Sequence, residues 1–202
     1  MTTCLLVASA VFADVFVAPF GGYSVGTSEF SVKSADTSHL TNNESGNLTL
    51  SESEHYGLMM GFTTLDPGDI YLMYSHQSPI LQANGSVSTA PIIDLDLDYL
   101  HIGGTLYFPN GNLKPYVSAS LGLTSMRPSG EYSNETLFSM GLGAGIDYQL
   151  TSSISIFSEA RGYATFIDSD SMLFCDDGDC LWSIRSDIMW QGQINLGAKL
   201  KF

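Results

Sequence analysis

Positive charge is what this sequence most plainly lacks. Its 202 residues hold seven Lys plus Arg against 21 Asp plus Glu, a formal net charge of −14. A chain this acidic has too few cations to displace the counterions of a phosphate backbone, which sets nucleic acid aside as a partner. Charge of either sign is scarce as well. Asp, Glu, Lys and Arg make up 14% of the residues, where soluble domains carry about 25%, so an exterior facing water on every side is disfavoured. Cysteine occurs three times, and the residues around the Cys175–Cys180 pair are carboxylates, whereas zinc wants four ligands, typically as two spaced pairs. Beyond the first residues no stretch shows apolar side chains at helical spacing, which removes helix bundles and α/β folds. The length suits one domain.

The opening stretch, MTTCLLVASAVFADV, is apolar from Cys4 to Ala13 and too short to span a bilayer as a helix. Val11-Phe12-Ala13 before Asp14 reads as a signal-peptidase site. The stretch lacks the Lys or Arg that opens a signal peptide, so residues 1–13 are expected to be a signal peptide truncated at its start. A buried first strand is the alternative. Cleavage after Ala13 would remove Cys4 and leave Cys175 and Cys180, an even number that suits an oxidising compartment.

Alternation with period two recurs along residues 14–202 and predicts an all-β domain. Eight strands are expected at about 15–27, 53–64, 69–77, 93–108, 114–126, 135–150, 153–166 and 187–202. The connections at 64–69, 108–114 and 150–153 are compact and rich in Pro, Gly, Asn and Ser. Those at 28–52, 78–92, 127–134 and 167–186 are longer and dominated by Ser, Thr, Asn, Asp and Glu. Short and long connections therefore alternate, as they do when strands run up and down through a membrane. In the sixth strand Phe138, Met140, Leu142, Ala144, Ile146, Tyr148 and Leu150 share one side. Ser139, Gly141, Gly143, Gly145, Asp147 and Gln149 share the other. The last strand divides Trp190, Ile194, Leu196, Ala198, Leu200 and Phe202 from Gln191, Gln193, Asn195, Lys199 and Lys201. Apolar sides facing lipid and polar sides facing a lumen predict an eight-stranded antiparallel transmembrane up-and-down β-barrel, closed because no backbone edge can remain unpaired in hydrocarbon. Eight strands enclose a space that side chains fill, so a packed polar core is expected.

Three stretches, DLDYLHIGGTLYFPNGNLKPYVSASLGLT (96–124), FSMGLGAGIDYQLTSSISIFSEARGYATFI (138–167) and GAKLKF (197–202), make residues 14–202 resemble the small eight-stranded outer-membrane barrels of Gram-negative bacteria. This is the OmpA-like and OmpW-like porin-family group. The resemblance implies integral residence in the outer membrane, with lipid and lipopolysaccharide as surroundings. It also implies that Phe202, with Leu200 and Ala198, is the assembly signal read by the barrel-assembly machinery. A monomer is expected, and no cofactor.

With polar residues inward, Asp94, Asp96 and Asp98 are expected to line the lumen near its outer mouth, and Leu95 and Leu97 to touch lipid or its headgroup boundary. Buried like charges need partners. Arg161, rising with Glu159 on the seventh strand, is expected to meet Asp98, with Glu159, His101 and Asp147 in the same lumen network. Leu100, Ile102, Leu106 and Phe108 fall on the opposite parity from Leu95 and Leu97, so a β-bulge near Tyr99–Leu100 is expected, without which His101 would face lipid. CDDGDC places Cys175 and Cys180 where a small disulfide hairpin could close. Asp168, Asp170, Asp176, Asp177 and Asp179 suggest calcium, but their spacing departs from an EF-hand loop. A solvated acidic loop is favoured, and no metal site is assigned.

Functionally, the leading expectation is a non-enzymatic barrel with a plugged lumen, serving envelope integrity or surface interaction. The alternative is a narrow OmpW-type channel for small or hydrophobic solutes. A PagL-type lipid A-modifying enzyme ranks lower. His76 and Ser78 in YSHQS invite that reading, but His76 stands on the apolar parity and would need an acidic partner.

Overall fold

The computed structural model describes residues 14–26, 30–34, 45–64, 67–84, 93–129, 133–167, 172–176, 179–184 and 188–202. The expected leader, 1–13, and Asp168, Asp170 and Asp177 lie outside them. The described residues form strands without a helix. In chain order these are β1 (Val15–Gly26), β2 (Phe30–Ser34), β3 (Ser45–Leu50), β4 (Ser53–Thr63), β5 (Gly68–Gln77), β6 (Ile80–Asn84), β7 (Ile93–Tyr107), β8 (Leu113–Pro128), β9 (Glu135–Gln149), β10 (Ile154–Phe166), β11 (Met172–Asp176), β12 (Asp179–Ile184) and β13 (Ile188–Lys201).

β1, β4, β5, β7, β8, β9, β10 and β13 close into a ring in which every neighbouring pair is antiparallel. These are the eight expected strands. The rungs also define how the sheet closes. From Phe16 they pass through Gly61, Tyr71, Gly103, Ser120, Gly141, Tyr163 and Gln191, and return to β1 at Gly26, ten residues above the start. That stagger, with ordinary strand spacing, tilts the strands by about 40° and sets a backbone radius of about 8 Å. A tube of this bore leaves room for side chains alone.

Tight turns join the barrel strands at one end. In the β7–β8 turn Gly111 adopts φ 65°, a left-handed conformation suited to glycine, while Asn110 and Leu113 exchange backbone hydrogen bonds. On β9 a Cβ at Gly145 would collide with the Ser158 carbonyl oxygen and the Tyr116 ring. Glycine there lets the tyrosine lie across the narrow lumen.

The faces divide by parity. Outward, Leu72, Ile102, Leu121, Leu142, Ile194 and Leu196 are exposed, with Trp190, Tyr148, Phe108 and Phe202 among the aromatics. Inward lie buried serines, glutamines, tyrosines and paired charges.

Two expectations are corrected. The long connections contain strands: β2, β3, β6, β11 and β12 pair in the order β11-β12-β2-β3-β6, and β6 joins the upper end of β7. At five or six residues each, they are too short for a period of two to announce itself. They continue a ladder that the barrel begins. Cys175 and Cys180 are register partners in the β11–β12 hairpin.

The second correction concerns β7. Its rungs to β5 and β8 run without interruption from Leu97 to Leu106, so there is no bulge near Tyr99–Leu100. Odd-numbered residues face inward throughout: Leu95, Leu97, Tyr99 and His101 are buried. Asp94, Asp96 and Asp98 therefore point outward, opposite to expectation. The reason is their height. They sit at the long-loop end, beyond the apolar outer wall formed by Leu100, Ile102 and Leu106, where the exterior is wet and charges need no burial.

Candidate functional site

The interior stacks in tiers. At the short-turn end Lys199 Nζ lies 2.5 Å from Asp69 Oδ2 and also donates to the Tyr107 hydroxyl, which itself donates to Asp69 Oδ2 at 2.6 Å. The ammonium stands 4.5 Å from the Phe16 ring centroid and 5.0 Å from that of Tyr107, within cation–π range. Nearby, Ser155 Oγ donates to Asp147 Oδ2 at 2.8 Å. Asp69, Tyr107, Asp147, Glu159 and Lys199 border a void of about 10 Å³, room for about one water.

Above this, Arg161 Nε donates to Glu159 Oε1. The same guanidinium reaches the Tyr71 hydroxyl at 3.2 Å, Ser118 Oγ at 3.5 Å and the Met73 sulfur. Both partners of the pair are buried, at 3% and 4% exposure, so the ion pair is enclosed by protein. A higher tier is neutral. His101 Nδ1 and Nε2 lie 3.0 Å and 2.8 Å from Ser120 Oγ and Ser139 Oγ. His55 Nε2 meets Asn195 Oδ1 at 2.6 Å, Gln193 donates to Gln77 at 3.1 Å, and Tyr99 donates to Gln191. The Tyr99 and Tyr163 rings stack at 4.3 Å across the bore. At the long-loop ends of β7, β8, β10 and β13, Leu95, Leu97, Met126, Ile167 and Met189 are all buried and close the mouth with apolar side chains.

The expected lumen residues thus divide. Asp147, Glu159, Arg161 and His101 lie inside, in three separate tiers. Asp94, Asp96 and Asp98 lie outside, and Arg161 meets Glu159, not Asp98. Sequence reading missed the Asp69–Lys199–Tyr107 cluster, although Lys199 was placed on the inward parity. It also missed the apolar mouth, whose signal was the run of odd-numbered Leu95 and Leu97.

On the outer wall at the rim, Asp98 collects three groups. Arg127 Nη2 pairs with Oδ2, while Tyr74 OH at 2.7 Å and His76 Nδ1 at 2.8 Å share Oδ1. Ser78 Oγ lies 3.4 Å from His76 Nε2 and donates to Asp96 Oδ1 at 2.6 Å. The Tyr56 ring packs against His76 at 5.3 Å. Outward parity, which argued against His76 as a functional residue, is the parity of Asp98 as well.

A closed ring of eight antiparallel strands, apolar on its lipid side and filled with paired polar groups, defines a transmembrane β-barrel. The sequence matches the outer membrane protein beta-barrel domain over residues 3–202. The chain belongs to that family, and it is an integral protein of the outer membrane.

Solved structures agree in fold. Neisserial surface protein A is 14% identical, with 93% of this chain and 97% of that one covered and a TM-score of 0.62. The outer membrane protein OprG from Pseudomonas aeruginosa is also 14% identical, covering 94% and 96% at 0.63. The outer membrane protein AlkL, solved in lipid bilayers, is 14% identical over 100% and 97% at 0.56. No curated protein sequence matches the chain.

Proposed function

We propose that this barrel is a wall protein of the outer membrane whose interior neither conducts nor catalyses and whose outer rim meets the surroundings. Envelope integrity and surface contact are its work. The supporting observation is the continuity of the filling, from Lys199–Asp69 through Arg161–Glu159 and the stacked Tyr99–Tyr163 pair to the Leu97 mouth. An OmpW-type channel would need a water path past those tiers. Lipid and lipopolysaccharide are the partners on this reading, and the assembly machinery reads the end at Leu200 and Phe202. The barrel acts as a monomer on this reading. Cys175 and Cys180, facing each other across their hairpin, join as a disulfide in the oxidising compartment.

Deletion of the chain is expected to raise sensitivity to detergent, with complementation by the wild type. Proteoliposomes carrying the purified barrel are expected to take up small neutral solutes no faster than empty ones. Faster uptake would favour the channel.

A further inference from the structure

The arrangement on the outer wall has a chemistry that the lumen reading does not use. Ser78, His76 and Asp98 stand in the relation a nucleophile, a general base and an orienting carboxylate require. His76 Nδ1 lies 2.8 Å from Asp98 Oδ1, an acceptor, so in the neutral ring Nδ1 donates and the free Nε2 faces Ser78 Oγ at 3.4 Å. Such a nucleophile–base contact is commonly longer before substrate binds. Asp98 is itself held by Tyr74 and Arg127, and His76 by the Tyr56 ring, so the base has one orientation. The topology makes the triad local: His76 and Asp98 share a rung between β5 and β7, and Ser78 is the next outward residue after His76.

Location defines the substrate class. Ser78 is exposed, and the wall directly below is greasy, with Leu72 at 46%, Leu100 at 49% and Ile102 at 62% exposure. Chains lying on that wall would bring the ester groups at their upper ends to the height of Ser78. The geometry points to an acyl-ester hydrolase site, Ser78–His76–Asp98, acting on lipid of the outer leaflet.

The chemistry balances with water as the second reactant. Ser78 Oγ attacks the ester carbonyl carbon while its proton passes to His76 Nε2. The bond to the leaving alkoxide breaks and that oxygen takes the proton from His76, releasing the lipid with one free hydroxyl. Water then gives a proton to His76 Nε2 as its oxygen attacks the acyl-serine. The acyl–Oγ bond breaks, Oγ recovers the proton, and a fatty acid departs. In the structure Ser78 donates to Asp96, so the first step begins with its hydroxyl turning to His76.

The test uses the full purified barrel in two kinds of vesicle, one of glycerophospholipid alone and one containing lipopolysaccharide. Mass spectrometry reads fatty acid and deacylated lipid, and an alkyl fluorophosphonate reports a covalent adduct on Ser78. Expected are fatty acid release in at least one vesicle type, which identifies the lipid source, and an adduct at Ser78. Ser78→Ala should lose both, and His76→Ala and Asp98→Asn should each slow release by at least about 100-fold, while all three keep the heat-modifiable gel shift of a closed barrel. A folded wild type with no adduct and no release from either vesicle overturns the proposal, as does release that persists in Ser78→Ala. Solute uptake bears on the lumen alone, so the two readings fail separately.

Discussion

Replacing Glu159 by Leu should expose how much the barrel depends on its enclosed ion pair. Arg161 is 4% exposed. Without the Glu159 charge its guanidinium retains the Tyr71, Ser118 and Tyr163 hydroxyls and the Met73 sulfur, all neutral. Stranding a buried charge in this way costs about 3–5 kcal/mol. Arg161→Met should cost a similar amount from the other side, because it leaves the Glu159 carboxylate with only neutral donors, the hydroxyls of Tyr116 and of Ser118 at 3.5 Å. Removing both charges is different. Glu159→Leu with Arg161→Met gives up the attraction and the desolvation penalty together, and such exchanges are often neutral or stabilising. The double variant should therefore be more stable than either single one, a strong departure from additivity. Urea titration in lipid bilayers, reading the folded fraction from the mobility of unboiled samples, measures all four corners of the cycle. Single variants within about 1 kcal/mol of wild type, or a double variant whose loss is the sum of the singles, would refute the reasoning.

At the other end of the lumen, Lys199→Met leaves Asp69 with Tyr107 as its remaining donor and should destabilise by about 3–5 kcal/mol in the same titration. Gly145→Ala drives a methyl group against the Ser158 carbonyl and the Tyr116 ring, and should cost about 1–3 kcal/mol. Leu97→Ala empties part of the apolar mouth and should lose about 2–5 kcal/mol, whereas Asp96→Ala on the wet rim should stay within about 0.5 kcal/mol. Cysteine placed at position 96 of a chain with Cys175 and Cys180 replaced should react with a membrane-impermeant maleimide, and at position 97 should not. Equal labelling would contradict the register of β7.

Most of the barrel was legible because the bilayer imposes one rule along most of each strand. Phe138 to Leu150 and Trp190 to Phe202 show the alternation openly, and the compact turns mark where the strands end. The same rule misled at Asp94, Asp96 and Asp98, where the strand has risen past the hydrocarbon and the outside is polar while the mouth is sealed by Leu95 and Leu97. One wrong parity produced two errors, the Asp98–Arg161 contact and the bulge, and it hid the carboxylate that stands beside His76. Each depends on which way Asp98 points. Sequence alone also gave no sign of the Asp69–Lys199 pair, whose members stand 130 residues apart and meet through the register of the closed ring. The short outer strands stayed hidden because their pairing extends the barrel ladder more than it expresses their own composition.

The central claim, a lumen filled from the Lys199 tier to the Leu97 mouth, is tested most directly by inserting the purified wild-type barrel into planar bilayers and recording current under applied voltage. The account predicts a steady baseline with no discrete openings. Reproducible stepwise conductance from folded wild-type protein would contradict it.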